Sequence, residues 1–220
     1  MPDWARLRAE MVETQLRARG IKDARVLAAM GRVPREQFVP PAQQSQSYED
    51  GPLPIGEGQT ISQPWMVARM LELGQFQGTE KVLEVGAGSG YQAALLCELA
   101  HRVYAVERFA SLAEQARARM AACGYRNFEI GVFDGTGGWP EHAPFDVILV
   151  AAGAPSLPPL LIEQLSEGGR LIIPIGPRRG QKLAVVTRHG EAADVAWDTS
   201  CTFVDLVGRY GWGGSGVGQA

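Results

Sequence analysis

Three kinds of residue in this chain could do chemistry: closely spaced glycines, carboxylates at the ends of apolar segments, and a pair of hydroxyls. The glycines close the stretch Val82-Leu83-Glu84-Val85-Gly86-Ala87-Gly88-Ser89-Gly90. Glycines at every second residue let the backbone turn sharply and let a ligand lie against main-chain atoms, where a Cβ would clash. The next apolar segment, Arg102 to Val106, ends in Glu107, 21 residues after Gly86. An acidic residue about 20 residues beyond such a turn is placed to accept hydrogen bonds from ribose hydroxyls. The dinucleotide pattern asks for glycine or alanine three residues after its second glycine, but this chain has Tyr91 there. No Lys-Ser or Lys-Thr follows the loop either, so it is not a phosphate cradle of the Walker type. A glycine turn and a ribose carboxylate without a pyrophosphate pattern point to S-adenosylmethionine. A tight strand–helix turn followed by a solvated glutamate is the competing, non-functional reading.

Two further carboxylates and the hydroxyls bear on the same site. Glu84 sits among apolar residues within a strand, and a charge there needs a partner to offset its desolvation. It either steers the amino group of the cofactor or pairs with a nearby lysine or arginine. Asp134 ends the third strand and precedes Gly135. Its carboxylate either accepts a hydrogen bond from an adenine amino group or caps an Asx-type turn. Thr60 and Ser62 flank Ile61, which in an extended segment puts both hydroxyls on one side. Pro64 suits the first turn of a helix running to about Leu73. A helix N-terminus carries unpaired N–H groups and attracts a carboxylate, although a serine just before a helix also serves as a simple cap.

The elements that must position these groups follow from periodicity. Trp4 to Arg19 carries Leu7, Met11 and Leu16 among charges, an amphipathic helical pattern. Asp23 caps a second short helix through Met30, which Val33-Pro34 ends. Pro40 to Pro54 reads as an ordered loop over the sheet. From Lys81 onwards strands and helices alternate. The strands are Val82–Val85, Val103–Val106, Phe128–Val132, Val147–Ala151 and Leu171–Ile175, with helices at Tyr91–Ala100, Ser111–Cys123 and near Leu160–Leu165. Such alternation means right-handed crossovers and a mostly parallel, doubly wound α/β sheet. Leu183–Thr187 and Val195–Leu206, joined by a turn at His189-Gly190, read as an antiparallel pair at the sheet edge. The glycine-rich tail from Gly211 to Ala220 reads as loose.

Bulk properties narrow the class. The 220 residues, 45% of them hydrophobic, suffice for one sizeable core. A net charge of -3 without lysine or arginine runs argues against nucleic-acid and anionic-membrane partners. Three scattered cysteines with no C-x-x-C pair favour a reducing compartment, and three scattered histidines offer no metal-ligand spacing. No apolar run reaches the roughly 18 residues of a membrane span, and no signal peptide opens the chain. A cytoplasmic protein acting as a monomer is expected.

One stretch makes the reading specific. Gly58-Gln59-Thr60-Ile61-Ser62-Gln63-Pro64, with Leu53-Pro54-Ile55-Gly56 before it and the glycine loop after it, resembles the signature of protein-L-isoaspartate O-methyltransferases. Val106-Glu107-Arg108, Asp134-Gly135 with Gly138-Trp139-Pro140, Ala143-Pro144-Phe145-Asp146, and Gly168-Gly169-Arg170-Leu171 fit the same family, as does Val33-Pro34-Arg35. The resemblance spans about residues 8 to 210. It implies a Rossmann-like class I methyltransferase with a seven-stranded sheet, N-terminal helices and an antiparallel C-terminal strand pair. One domain would comprise a substrate-loop region (1–80), a cofactor-binding sheet (81–210) and a flexible tail (211–220).

The implied activity is methyl transfer from S-adenosylmethionine to the free α-carboxylate of isoaspartyl residues in damaged proteins, which starts their repair through a succinimide. By position, Ser62 is the family's active-site serine and Thr60 its neighbour at the substrate carboxylate. Gly86, Gly88, Glu107, Asp134 and Gly135 are the family's cofactor positions, and Glu84 and Gly90 join them as candidates from the strand and the glycine loop themselves. A carboxylate, with a reference pKa near 4, is already an anion at neutral pH and needs no general base. Aligning its oxygen with the methyl group at about 3 Å and excluding water must then supply the catalysis. The chain departs from the family at Phe133, usually glycine, and at Cys201-Thr202-Phe203-Val204-Asp205-Leu206, usually Val-Arg-Phe-Val-Pro-Leu. The altered Thr202–Asp205 segment supports an alternative, a carboxyl methyltransferase for another acid or a dedicated peptide aspartate. A non-catalytic cofactor-binding protein is a further alternative, and Tyr91 disfavours a dehydrogenase.

Overall fold

A computed structural model describes residues 2–213. The chain opens with helix α1 (Trp4–Met11), whose N-terminus is capped by Asp3 accepting from the Arg6 N–H. The expected helix through Arg19 does not run on as one α-helix. It widens into a π-turn at Val12–Leu16 and tightens into a 3-10 turn at Arg17–Arg19, ending at Gly20 with φ 93°. Helix α2 (Ala24–Arg32) is capped by the Asp23 carboxylate, which accepts from the N–H groups of Arg25 and Val26. Two short 3-10 turns, Arg35–Gln37 and Pro41–Gln46, lead to a hairpin of β1 (Leu53–Gly56) and β2 (Gln59–Ile61). The loop expected from Pro40 to Pro54 thus gives way to a strand at Leu53, which pairs with the extended segment around Ile61. Pro64 then begins α3 (Pro64–Gly74).

The main sheet comprises β3 (Lys81–Val85), β4 (Arg102–Glu107), β5 (Phe128–Val132), β6 (Phe145–Val150), β7 (Leu165–Ile175), β8 (Gln181–His189) and β9 (Ala192–Cys201). Its order is β5-β4-β3-β6-β7-β8-β9, parallel from β5 to β7 and antiparallel from β7 to β9. Helices α4 (Tyr91–Leu99), α5 (Ala110–Ala122) and α6 (Pro159–Glu163) provide crossovers. Successive strand residues point to opposite faces. Val82, Val103, Val147 and Ile172 accordingly enter one core with α1 to α5, while Leu83, Val106, Ile148 and Leu171 enter a second with Leu161 of α6. Burial on both faces is what a parallel sheet requires.

Two strand limits differ from expectation by five residues or more. β7 starts at Leu165, ahead of the expected Leu171, and meets β6 through an irregular register near Phe145. β9 ends at Cys201 rather than Leu206, and Phe203–Trp212 forms a separate strap. β9 is mostly exposed, so no burial alternation marks where it stops. The tail begins ordered: Trp212 N–H donates to the Leu206 carbonyl and its indole to the Gly153 carbonyl. The looseness expected of 214–220 lies outside the described residues. Among these, no helix is long and apolar enough to cross a membrane.

Candidate active site

Because the chain runs β3-β4-β5 to one side and then returns to place β6 on the other, the strand order reverses at β3. Such a switch point opens a crevice at the carboxyl ends of the strands. A cleft lies there, and the Thr60, Ser62, Glu84, Gly86, Gly88, Glu107 and Gly135 expected from the sequence all line it.

The glycine loop is built on β4. The N–H groups of Gly86 and Ala87 both donate to the Val106 carbonyl, and the Gly88 N–H donates to Glu107 Oε2 at 2.9 Å. Glu107 Oε1 accepts from the Phe109 N–H at 2.9 Å. Backbone donors thus fix this carboxylate, 5% exposed, and leave its remaining lone pairs for a ligand. Gly88 has φ 51°, and a Cβ there would come within 3.3 Å of the Ile55 side chain. The β1–β2 hairpin therefore rests directly on the glycine loop. A hydrogen bond of 2.7 Å from the Ser111 hydroxyl to Glu57 holds the tip of the hairpin to the start of α5.

Glu84 is fully buried and has no lysine or arginine partner among the described residues, which removes the ion-pair reading. Neither carboxylate oxygen has a hydrogen-bond partner of ordinary geometry among the described residues; the nearby Gln92 amide lowers the carboxyl's pKa, but by less than burial raises it. Burial, reinforced by the Glu107 charge, holds the Glu84 carboxyl well above the usual carboxylate range. An orphaned acid in a cleft of this kind suits a cationic ligand group. The glycine cradle, the prepositioned Glu107 and the unpaired Glu84 together fit a ligand bearing both ribose hydroxyls and an ammonium, as S-adenosylmethionine does.

Ser62 is not a helix cap. Gln63 occupies the N-cap position of α3, and no side chain caps that end. The Ser62 hydroxyl remains available to the cleft, which Ser62 lines beside Thr60.

Two expected residues stand elsewhere. Gly90 lies at the entry to α4, where a Cβ would come within 3.0 Å of Ala116 on α5, so it serves helix packing. Asp134 does not line the cleft. Its Oδ1 accepts from the Thr136 N–H and hydroxyl, and its Oδ2 from the Arg209 N–H at 2.8 Å. Burial raises its pKa, but these hydrogen bonds outweigh burial and leave the carboxyl below the ordinary aspartate value. The Asx-turn alternative describes this geometry. Of the two family departures, Phe133 packs edge-on against Trp139, whereas Asp205 lines the cleft and pairs with Arg178 at 2.7 Å.

The sequence reading missed Phe109, Ala151 and Ala152, which also line the cleft. Ala151 and Ala152 follow β6 at the switch point, a position that the strand order would have marked.

Comparison with known proteins agrees with this geometry. The family model of protein-L-isoaspartate(D-aspartate) O-methyltransferase matches residues 6–211. The chain belongs to that family. A protein-L-isoaspartate O-methyltransferase of Syntrophus aciditrophicus is 52% identical over 217 residues, covering 97% of this chain and all of the relative. Its counterpart in Geobacter metallireducens is 54% identical over 207 residues, covering 94% and 96% of the two chains. Among solved structures, a protein-L-isoaspartate O-methyltransferase aligns with TM-score 0.82 at 30% identity, over 92% of this chain and 67% of that one. A Plasmodium falciparum protein described as a putative methyltransferase of this family, in complex with S-adenosyl-L-homocysteine, aligns with TM-score 0.79 at 27% identity over 91% and 98%. Members of this protein-L-isoaspartate O-methyltransferase family thus match the chain over nearly its whole length.

Proposed function

We propose that this protein transfers a methyl group from S-adenosylmethionine to the free α-carboxylate of L-isoaspartyl residues in damaged proteins, opening their repair through a succinimide. S-adenosylmethionine supplies an electrophilic methyl group on a sulfonium. In this reading Glu107 receives the ribose hydroxyls, Glu84 the ammonium, and Gly86 and Gly88 leave room for the ligand against the backbone. Thr60 and Ser62 hold the substrate carboxylate. That carboxylate is already ionised at neutral pH, so the chain need only orient it and exclude water, with no proton to remove. The observation that carries the reading is that one cleft is lined by both the hydroxyl pair and the two carboxylates. The hairpin bearing Thr60 rests on the glycine loop, which favours a short path between the two ligands. The three cysteines are free, in keeping with a reducing, cytoplasmic setting.

The test is transfer of labelled methyl to two peptides of one sequence, one isoaspartyl and one aspartyl. Base-labile label on the isoaspartyl peptide alone is expected. Equal label on both would favour the reading in which Asp205 has redirected the site towards another acid. Ser62→Ala should lower turnover about 10- to 100-fold, the scale of one lost positioning contact, while cofactor affinity measured by calorimetry stays within twofold. Full turnover in that variant would remove Ser62 from the mechanism.

A further inference from the structure

Arg35 has no part in the site as described so far, yet it lies directly behind it. It is completely buried in the 3-10 turn that follows α2. Its Nε donates to the Ser47 carbonyl at 2.7 Å, and its Nη2 donates to the Ser62 carbonyl at 2.9 Å. The guanidinium lies 4.9 Å from the ring centre of Tyr91, which itself lines the cleft. Nη1 makes no hydrogen bond of ordinary geometry among the described residues.

The charge balance around Arg35 is unusual. A guanidinium stays protonated in proteins, and a buried charge is strongly destabilising unless an opposite charge lies beside it. No carboxylate pairs with Arg35 among the described residues. The adjacent Glu36 is taken by Arg8 at 3.1 Å and by the Tyr48 hydroxyl. Arg8 also donates to the Tyr48 hydroxyl at 2.8 Å. A continuous set of contacts therefore runs from α1 through Glu36 and Tyr48 to the Ser47 peptide, then through Arg35 to the Ser62 peptide. A buried cation is thus held on the carbonyl of a residue that lines the cleft, with no carboxylate paired to it among the described residues. An anion arriving at Ser62 would supply the missing charge.

We propose that Arg35 is a positioning residue for methyl transfer, holding the Ser62 peptide in place and supplying from behind it the positive charge that draws the substrate carboxylate to the Ser62 hydroxyl. This rests on the isoaspartyl reading given above. Arg35 is fully buried and does not line the cleft, so its effect must pass through Ser62.

Assayed at pH 6, where a buried ammonium keeps more of its charge than at neutral pH, Arg35→Lys retains a cation but cannot reach both carbonyls with a fixed fork. It should lower kcat at least about tenfold through misplacement of Ser62, with KM for an isoaspartyl peptide within about threefold and the affinity for S-adenosylhomocysteine unchanged. Arg35→Met removes the charge, and should raise that KM at least about tenfold over the lysine variant. Wild-type kcat in Arg35→Lys overturns the positioning role, as does a kcat loss matched by an equal loss of S-adenosylhomocysteine affinity. A KM in Arg35→Met equal to that of Arg35→Lys overturns the electrostatic role. If Arg35→Met does not fold, the lysine variant decides, and it then supports the proposal only with its kcat reduced and its KM retained. Wild-type protein that methylates no isoaspartyl peptide defeats the functional reading itself, before any Arg35 variant is compared.

Discussion

At the scale of single residues, the site is defined by which carboxylates the fold satisfies and which it leaves wanting. Glu107 is held by two backbone N–H groups and Asp134 by three donors, whereas Glu84 has none. The raised pKa of Glu84 has a definite sign for stability. The folded chain holds this proton more tightly than the unfolded chain does. The penalty of the buried charge is therefore absent below the ordinary glutamate pKa and grows as pH rises towards the raised value. Glu84→Gln should accordingly stabilise the ligand-free protein at pH 8 and have little effect at pH 4, which denaturation curves at the two values would show. The same variant should bind S-adenosylmethionine about 10- to 100-fold more weakly, since a hydrogen bond to a charged group contributes about 1.5–3 kcal/mol. Both ends of this prediction come from one residue that the sequence marked by its place inside an apolar strand. What the sequence left open was its partner, because a partner is a matter of which side chains the sheet brings near.

At the scale of elements, close approach of backbone to side chain decides the cleft's shape. Gly135 starts a 3-10 turn at the end of β5, and a Cβ on it would lie 2.9 Å from Val85 and 3.0 Å from Val106. Gly135→Ala should therefore destabilise the protein by about 1–3 kcal/mol through overpacking between β3 and β4. Thermal unfolding would register this as a fall of roughly 2–10 °C for a chain of this size. The hairpin behaves differently: its two short strands gain their place from Ile55 on Gly88 and from Glu57 on Ser111. Neither contact has a local sequence signal, since each joins residues dozens of positions apart. The strand–helix alternation after Lys81 was legible for the opposite reason, because each strand is an apolar run buried on both faces.

At the scale of the whole molecule, elements far apart in the sequence converge on the cleft. The N-terminal elements reach Ser62 through Arg35, and the C-terminal strap adds Val204, Asp205, Leu206 and Val207 to the cleft lining. Asp134 latches that strap through the Arg209 N–H. Its carboxyl lies below the ordinary aspartate value, so the latch is fully present above a pH of about 4 and is lost only as pH falls through the lower, folded value. Asp134→Ala should raise hydrogen exchange of the 208–210 amides about tenfold at neutral pH, given about 1.5 kcal/mol for the lost bond, and mass spectrometry would read it. Local chemistry alone determined the glycine turn, the strand-end carboxylate Glu107, the hydroxyl pair and the sheet class, since these depend on residue type and short-range periodicity. Only the tertiary structure decided that Glu84 is unpaired, that Asp134 serves the strap instead of the cleft, and that a buried arginine stands behind Ser62. Those outcomes depend on desolvation and on contacts between distant segments, which no local pattern encodes.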